Sequence, residues 1–198
     1  MWKVFQRCIT SQLRLANKLL LVVDNGSVYT KNLIDFLSEK KIKFTNLKHT
    51  QVNLSKIKEF NSFILSGRRQ NNKEMNSLNS KIIQHAVSEK KNLLGICYGA
   101  EILALTLGGT IKKMDVLEKG EQEISILKEN PLCKGRIRVF ESHNYEISRL
   151  GSSLIDIAQS KNCMFEIIQH IELNIFGTQF HPEMSTDGKT IIDAFASL

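Results

Sequence analysis

Three side chains in this sequence have the types and spacing that nucleophilic catalysis requires. Cys97 sits in Gly95-Ile96-Cys97-Tyr98-Gly99-Ala100, at the end of an apolar run, with a glycine two positions away on each side. That is the layout of a nucleophile elbow, a tight strand-to-helix turn that lifts one side chain above the sheet edge. The flanking glycines remove Cβ atoms that would clash there. A thiol at a helix N-terminus also has its thiolate favoured by the helix dipole. The second segment is Gln179-Phe180-His181-Pro182-Glu183. His181 can take a thiol proton, and Glu183 can hold the imidazole in one tautomer, completing a Cys-His-acid relay. A free cysteine is usually a buried structural residue. An elbow cysteine combined with a His-x-Glu segment is far more specific.

The elements that must position these groups alternate along the chain. Leu19–Val23 is a continuous apolar run, as in a parallel strand covered on both faces, and ends in the turn signal Asp24-Asn25-Gly26. Residues 28–40 read as a helix, Ile42–Thr45 as a strand, and Phe63–Leu65 as a third strand closed by Ser66-Gly67. A helical pattern spans 73–91, Leu93–Ile96 is a fourth strand, and 99–107 is a helix directly after Cys97. After Gly109 short strand-like segments follow at 110–116, 122–127, 136–142, 145–148, 163–168 and 174–180, then a helix at 187–197 capped near Ser185 to Asp187. The order predicts an α/β fold: a doubly wound, mostly parallel central sheet, β-rich hairpins in the C-terminal half, and a nucleophile elbow.

Composition excludes several functions. The 198 residues carry 27 Lys+Arg against 20 Asp+Glu, a net charge of +7. Lys3, Arg7, Arg14 and Lys18 all fall in an acid-free opening segment, and without them 23 basic residues face 20 acidic ones. The body is nearly balanced, which argues against a nucleic-acid surface. Residues 1–17 form a basic extension, with a disordered leader, a docked helix and a targeting peptide as competing readings. Residues 18–198 are expected to form one domain. No apolar run reaches membrane-spanning length. The four cysteines are widely spaced, so neither a disulfide framework nor a metal site is expected, and the cytoplasm is the expected compartment.

The two motifs together resemble the signature pair of class I (triad-type) glutamine amidotransferases, and the resemblance covers roughly residues 18–197. Asp24-Asn25-Gly26-Ser27-Val28-Tyr29-Thr30 is similar to the opening motif of the glutaminase part of GMP synthase, and Glu141-Ser142-His143-Asn144-Tyr145-Glu146-Ile147 resembles the Ser-His segment of that group. The resemblance implies that Cys97, His181 and Glu183 are catalytic. It implies an oxyanion hole at Tyr98 and the Gly67-Arg68 loop, and substrate contacts at Glu101, Ser142, His143, Asn144 and Tyr145. It further implies that ammonia from glutamine passes to a separate ATP-dependent, GMP synthase-like synthetase subunit. No cofactor is expected in this chain itself. ATP and Mg are expected only on the partner, since no Ser-Gly-Gly-x-Asp-Ser pyrophosphatase loop occurs here.

Two residues depart from the family pattern. Arg68 stands where a second glycine is usual and is strained if the position needs a positive φ. Glu101 stands where Gln is usual. An ionised Glu accepts hydrogen bonds but donates none; it suits the α-ammonium of glutamine and repels the carboxylate. Two further readings stay open: a partner-independent γ-glutamyl hydrolase or peptidase, motivated by Glu101, and a catalytically silent regulatory relative.

Overall fold

The computed structural model describes residues 19–198; the basic extension at 1–17 lies outside the described residues. Nine strands form one sheet in the order β2-β1-β3-β4-β9-β8-β7-β5-β6. The first half is β1 (Leu20–Asn25), α1 (Thr30–Glu39), β2 (Phe44–Lys48), β3 (Ser62–Arg68), α2 (Lys73–Ser88), β4 (Asn92–Ile96) and α3 (Tyr98–Thr106). The second is β5 (Thr110–Ile126), β6 (Arg136–Arg149), β7 (Leu154–Gln159), β8 (Ile167–His170), β9 (Ile175–Thr178) and α4 (Thr186–Ser197). Strands β2, β1, β3, β4 and β9 pair in parallel. From β9 outward every pairing is antiparallel.

Alternation along the inner strands accounts for the two helical layers. Successive strand residues point to opposite faces. Leu20, Val22, Ile64, Leu94 and Ile96 therefore enter one core, with Leu33, Phe36 and Leu37 of α1 and Ile191, Ile192 and Phe195 of α4. Leu21, Val23, Phe63, Leu65 and Leu93 enter the other, with Met75, Ile82, Ile83 and Ala86 of α2 and Leu103 of α3. Both faces are covered, so the strands read in sequence as unbroken apolar runs.

The N-terminal elements fall close to where their periodicity places them, except that β2 starts at Phe44 and runs on to Lys48 instead of spanning Ile42–Thr45. The C-terminal half differs in its joins. The segments expected at 110–116 and 122–127 are one strand, β5, and those at 136–142 and 145–148 are one strand, β6. The register shifts between Lys113 and Glu118, which pair with Tyr145 and His143, so residues 114–117 bulge opposite Asn144 of the Ser-His segment. The expected strand at 163–168 is displaced to Ile167–His170, and β7 is a strand the hydrophobic pattern does not announce. The closing helix starts at Thr186, with the Ser185 hydroxyl accepting from the Gly188 N–H at 3.1 Å.

The join between β4 and α3 leaves no room for side chains. A Cβ on Gly95 would stand 2.4 Å from the Gly99 carbonyl, and one on Gly99 would stand 2.3 Å from the Leu65 carbonyl oxygen. Gly99→Ala has no flexible neighbour to displace. It is expected to cost about 1–3 kcal/mol of stability, measured as a lowered denaturation midpoint of the full chain with an unchanged slope.

Candidate active site

Cys97 lies between β4 and α3 with φ +51 and ψ −104, a positive-φ backbone that few non-glycine residues adopt. Its N–H donates to the Thr178 carbonyl on neighbouring β9 at 2.7 Å, and its own carbonyl accepts from Ala100 and Glu101 at the start of α3. Cys97 thus occupies a tight strand-to-helix junction, with Gly95 and Gly99 on either side. β9 also carries the chain to His181. The His181 N–H donates to the Phe140 carbonyl of β6 at 2.8 Å, and its ring lies edge-on to Tyr29, with centroids 4.6 Å apart. His181 Nδ1 lies 2.8 Å from Glu183 Oε1, both side chains almost fully buried. A carboxylate only accepts, so Nδ1 carries the proton and Nε2 is left as the acceptor, the tautomer a general base needs.

Gly67 adjoins this histidine: a Cβ there would stand 2.8 Å from His181 Cε1. Arg68, the last residue of β3, does not have a positive φ, so the strain considered for it is absent. Its side chain turns into the site instead. The guanidinium lies over the Tyr98 ring at 4.4 Å, with Nη2 3.5 Å from Glu101 Oε2 and Nη1 donating to Asn71 Oδ1 at 2.9 Å. Tyr98 is fixed by its hydroxyl, which donates to Asn76 at 2.8 Å.

These groups line one cavity of about 410 Å³. Cys97, Tyr98, Arg68 and Glu101 meet Ser142, His143, Asn144 and Tyr145 around it, with Ile102, Leu105 and Ile111 as an apolar wall. Of the residues expected at the site, only Gly67, His181 and Glu183 are not part of this lining. The His143 ring is engaged on both sides, with Nδ1 on the Tyr145 carbonyl at 2.8 Å and Nε2 3.0 Å from Glu141 Oε2. The carbonyl accepts, so Nδ1 donates. Burial opposes the charged ring, but the Glu141 carboxylate and the Tyr145 carbonyl outweigh it and raise the His143 pKa.

Several residues of the site carry no signal in the sequence. Tyr29 packs on His181, and its hydroxyl donates to Ser142 at 3.3 Å. It stands in the opening motif, but no local spacing links it to a histidine so far along the chain. Asn25, Ser66 and Asn79 form a buried network beside Gly67 at the end of β3. Glu166 is fully buried and has its carboxyl pushed well up by burial and by the neighbouring Glu141. It sits at the entry to an apolar strand, where nothing local marks a carboxylate as functional. Among the described residues no cluster of His, Cys, Asp and Glu has a metal-binding arrangement.

The family model of class-I glutamine amidotransferases matches residues 21–196. The chain belongs to that family. A glutamine-hydrolysing GMP synthase subunit from Pyrococcus furiosus is 36% identical over 123 residues, 60% of this chain and 65% of that protein, so this match spans just under two thirds of the relative. The protein of the same name from Thermococcus kodakarensis is 32% identical over 187 residues, 91% of this chain and 98% of that one. A crystal structure from Thermoplasma acidophilum, provisionally named as the same GMP synthase subunit, superposes with a TM-score of 0.80 at 27% identity, covering 90% of this chain and 92% of the other.

The amidotransferase elbow does not lower the thiol pKa as the helix dipole alone suggests. Burial pushes Cys97 well above its ordinary 9.0, and the Glu101 and Glu183 carboxylates push further, against the Tyr98 N–H. The neutral thiol is therefore the resting form, and the reactive thiolate grows as pH rises. Alkylation of Cys97 by iodoacetamide in the free protein is expected to be slow near neutral pH and still rising above 9.0, read residue by residue by mass spectrometry. A plateau near neutrality would contradict it.

Proposed function

We propose that this chain hydrolyses glutamine through a Cys97 thioester and hands the ammonia to a separate, GMP synthase-like synthetase subunit that uses ATP and Mg. The observation carrying the reading is the positive-φ Cys97 at the head of α3, on the strand next to the one leading to a histidine whose Nδ1 is held by a buried carboxylate. The Cys97 sulfur attacks the side-chain amide carbon while its proton passes to His181 Nε2. The tetrahedral oxyanion is held by backbone N–H groups of Tyr98 and of the Gly67-Arg68 turn. The C–N bond breaks, and ammonia leaves with the proton from His181. Water, deprotonated by His181, then cleaves the thioester and releases glutamate.

The raised thiol pKa fits this scheme. A thiol that stays protonated until substrate arrives spares the cell idle side reactions. Glutamine carries an ammonium that offsets Glu101, one of the two carboxylates that most raise the thiol. Residence in a reducing cytoplasm suits a free nucleophilic thiol. Among the described residues no helix is long and apolar enough to cross a membrane. The partner rests on the relatives, which are named as one subunit of GMP synthase.

The test is glutamine-dependent ammonia release by the full chain, alone and with a candidate synthetase subunit. Cys97→Ala is expected to abolish it, a loss of at least about a thousandfold, while the complex keeps ammonia-dependent synthesis. A single glutamyl adduct on Cys97 should be trapped by acid quenching. Absence of ammonia release in both settings at saturating glutamine contradicts the reading. Release without any partner, from γ-glutamyl amides other than glutamine as well, favours the γ-glutamyl hydrolase that Glu101 suggests.

A further inference from the structure

The Arg68 side chain has no role in the steps above, yet several contacts fix its position. It is anchored by Asn71, stacked on Tyr98 and aimed into the cavity beside Glu101. Resting on the glutamine reading, in which Glu101 meets the α-ammonium, we propose that the Arg68 guanidinium takes the α-carboxylate of the substrate and so completes the head-group site in this chain.

Four observations converge. First, the two opposite charges line the same cavity as Cys97. Glu101 lies in the first turn of α3, directly after the cysteine, and lines the cavity with it. Second, they are held but not saturated. Nη2 meets Oε2 at 3.5 Å, longer than a good charge-assisted hydrogen bond, and the guanidinium has five donors of which one is used on Asn71. Third, both are largely shielded, with side chains 18% and 5% exposed, so a second pair of charges entering between them interacts with little screening. Fourth, Ile102, Leu105 and Ile111 offer apolar surface for methylenes joining the head group to the amide.

The pair also resolves the difficulty Glu101 raises by itself. A lone carboxylate beside the sulfur repels the α-carboxylate of glutamine. With Arg68 next to it the local charge is balanced, and a zwitterion replaces one internal ion pair with two intermolecular ones. An uncharged γ-amide, or one bearing a single head-group charge, leaves one member facing only its old partner. The backbone of Arg68 in the oxyanion turn and its side chain at the head group would tie substrate recognition to the turn that stabilises the reaction.

The test measures binding by calorimetry to the full chain carrying Cys97→Ala, so that no turnover intervenes. Three probes are compared: L-glutamine, glutaramate (no α-ammonium) and 4-aminobutanamide (no α-carboxylate). Arg68→Ala is expected to weaken glutamine and glutaramate by roughly tenfold to a hundredfold and to leave 4-aminobutanamide within about twofold. Glu101→Gln is expected to weaken 4-aminobutanamide and to improve glutaramate. Because each comparison is made between probes within one variant, a shared loss from misfolding does not mimic the result. Equal weakening of all three probes by Arg68→Ala overturns the proposal. So does no weakening at all, or a cavity with Arg68 and Glu101 intact that does not bind glutamine. The underlying reading fails separately: glutamine binding with this head-group signature, but no ammonia release from the Cys97 protein, removes the hydrolysis and leaves the head-group site standing.

Discussion

The structure depends on one backbone conformation, the positive-φ turn at Cys97. A non-glycine residue there costs of the order of 1–3 kcal/mol and persists only where its surroundings over-determine it. Here they do. The Cys97 N–H is bound to β9, its carbonyl is bound twice by the first turn of α3, and the glycines at 95 and 99 let strand and helix approach to distances no Cβ permits. That turn sets the direction of the sulfur, the start of α3 and hence the positions of Tyr98 and Glu101. The network of Asn25, Ser66 and Asn79 supports the opposing Gly67 turn, whose lack of a side chain admits His181.

The electrostatics of the site follow from what surrounds this turn. Glu101, Glu141, Glu166 and Glu183 are all buried, and Glu101, Glu141 and Glu183 each raise the thiol. Loss of water around the sulfur is the largest of the effects on the thiol, and the Tyr98 N–H only partly opposes it. Arg68 and the His143 ring, whose pKa Glu141 raises, line the same cavity as Cys97.

The parallel half of the fold and the tight turn at Cys97 are legible in the sequence for physical reasons. Strands buried on both faces are continuous apolar runs, and an elbow needs glycines at fixed offsets; both are local signals. The antiparallel half is less legible. β5 and β6 are half exposed and run on through Lys and Glu residues, so the hydrophobic pattern breaks where the strands do not. β7 is short and interrupted by Asp156. At the site, residues adjacent to a motif can be read from it, whereas Tyr29, Asn76 and Glu166 act across long sequence separations that only packing reveals. Arg68 stands out in the sequence as a threat to the backbone. In the structure that backbone is relaxed, and the side chain is what distinguishes the position.

The change of strand direction at β9 has a consequence for how the protein is made. β9 pairs in parallel with β4 on one side and antiparallel with β8 on the other, and it follows every other strand of the sheet in chain order. Until residues 175–178 have left the ribosome, β4 is an open edge carrying the elbow, and His181 and Glu183 do not yet exist as a pair. Cys97 is therefore made long before His181. Long-range parallel insertion is slow and leaves edges exposed to aggregation. The burial that raises the Cys97 thiol and the closing of the sheet arrive in the same event, so a half-made chain carries a thiol of ordinary acidity.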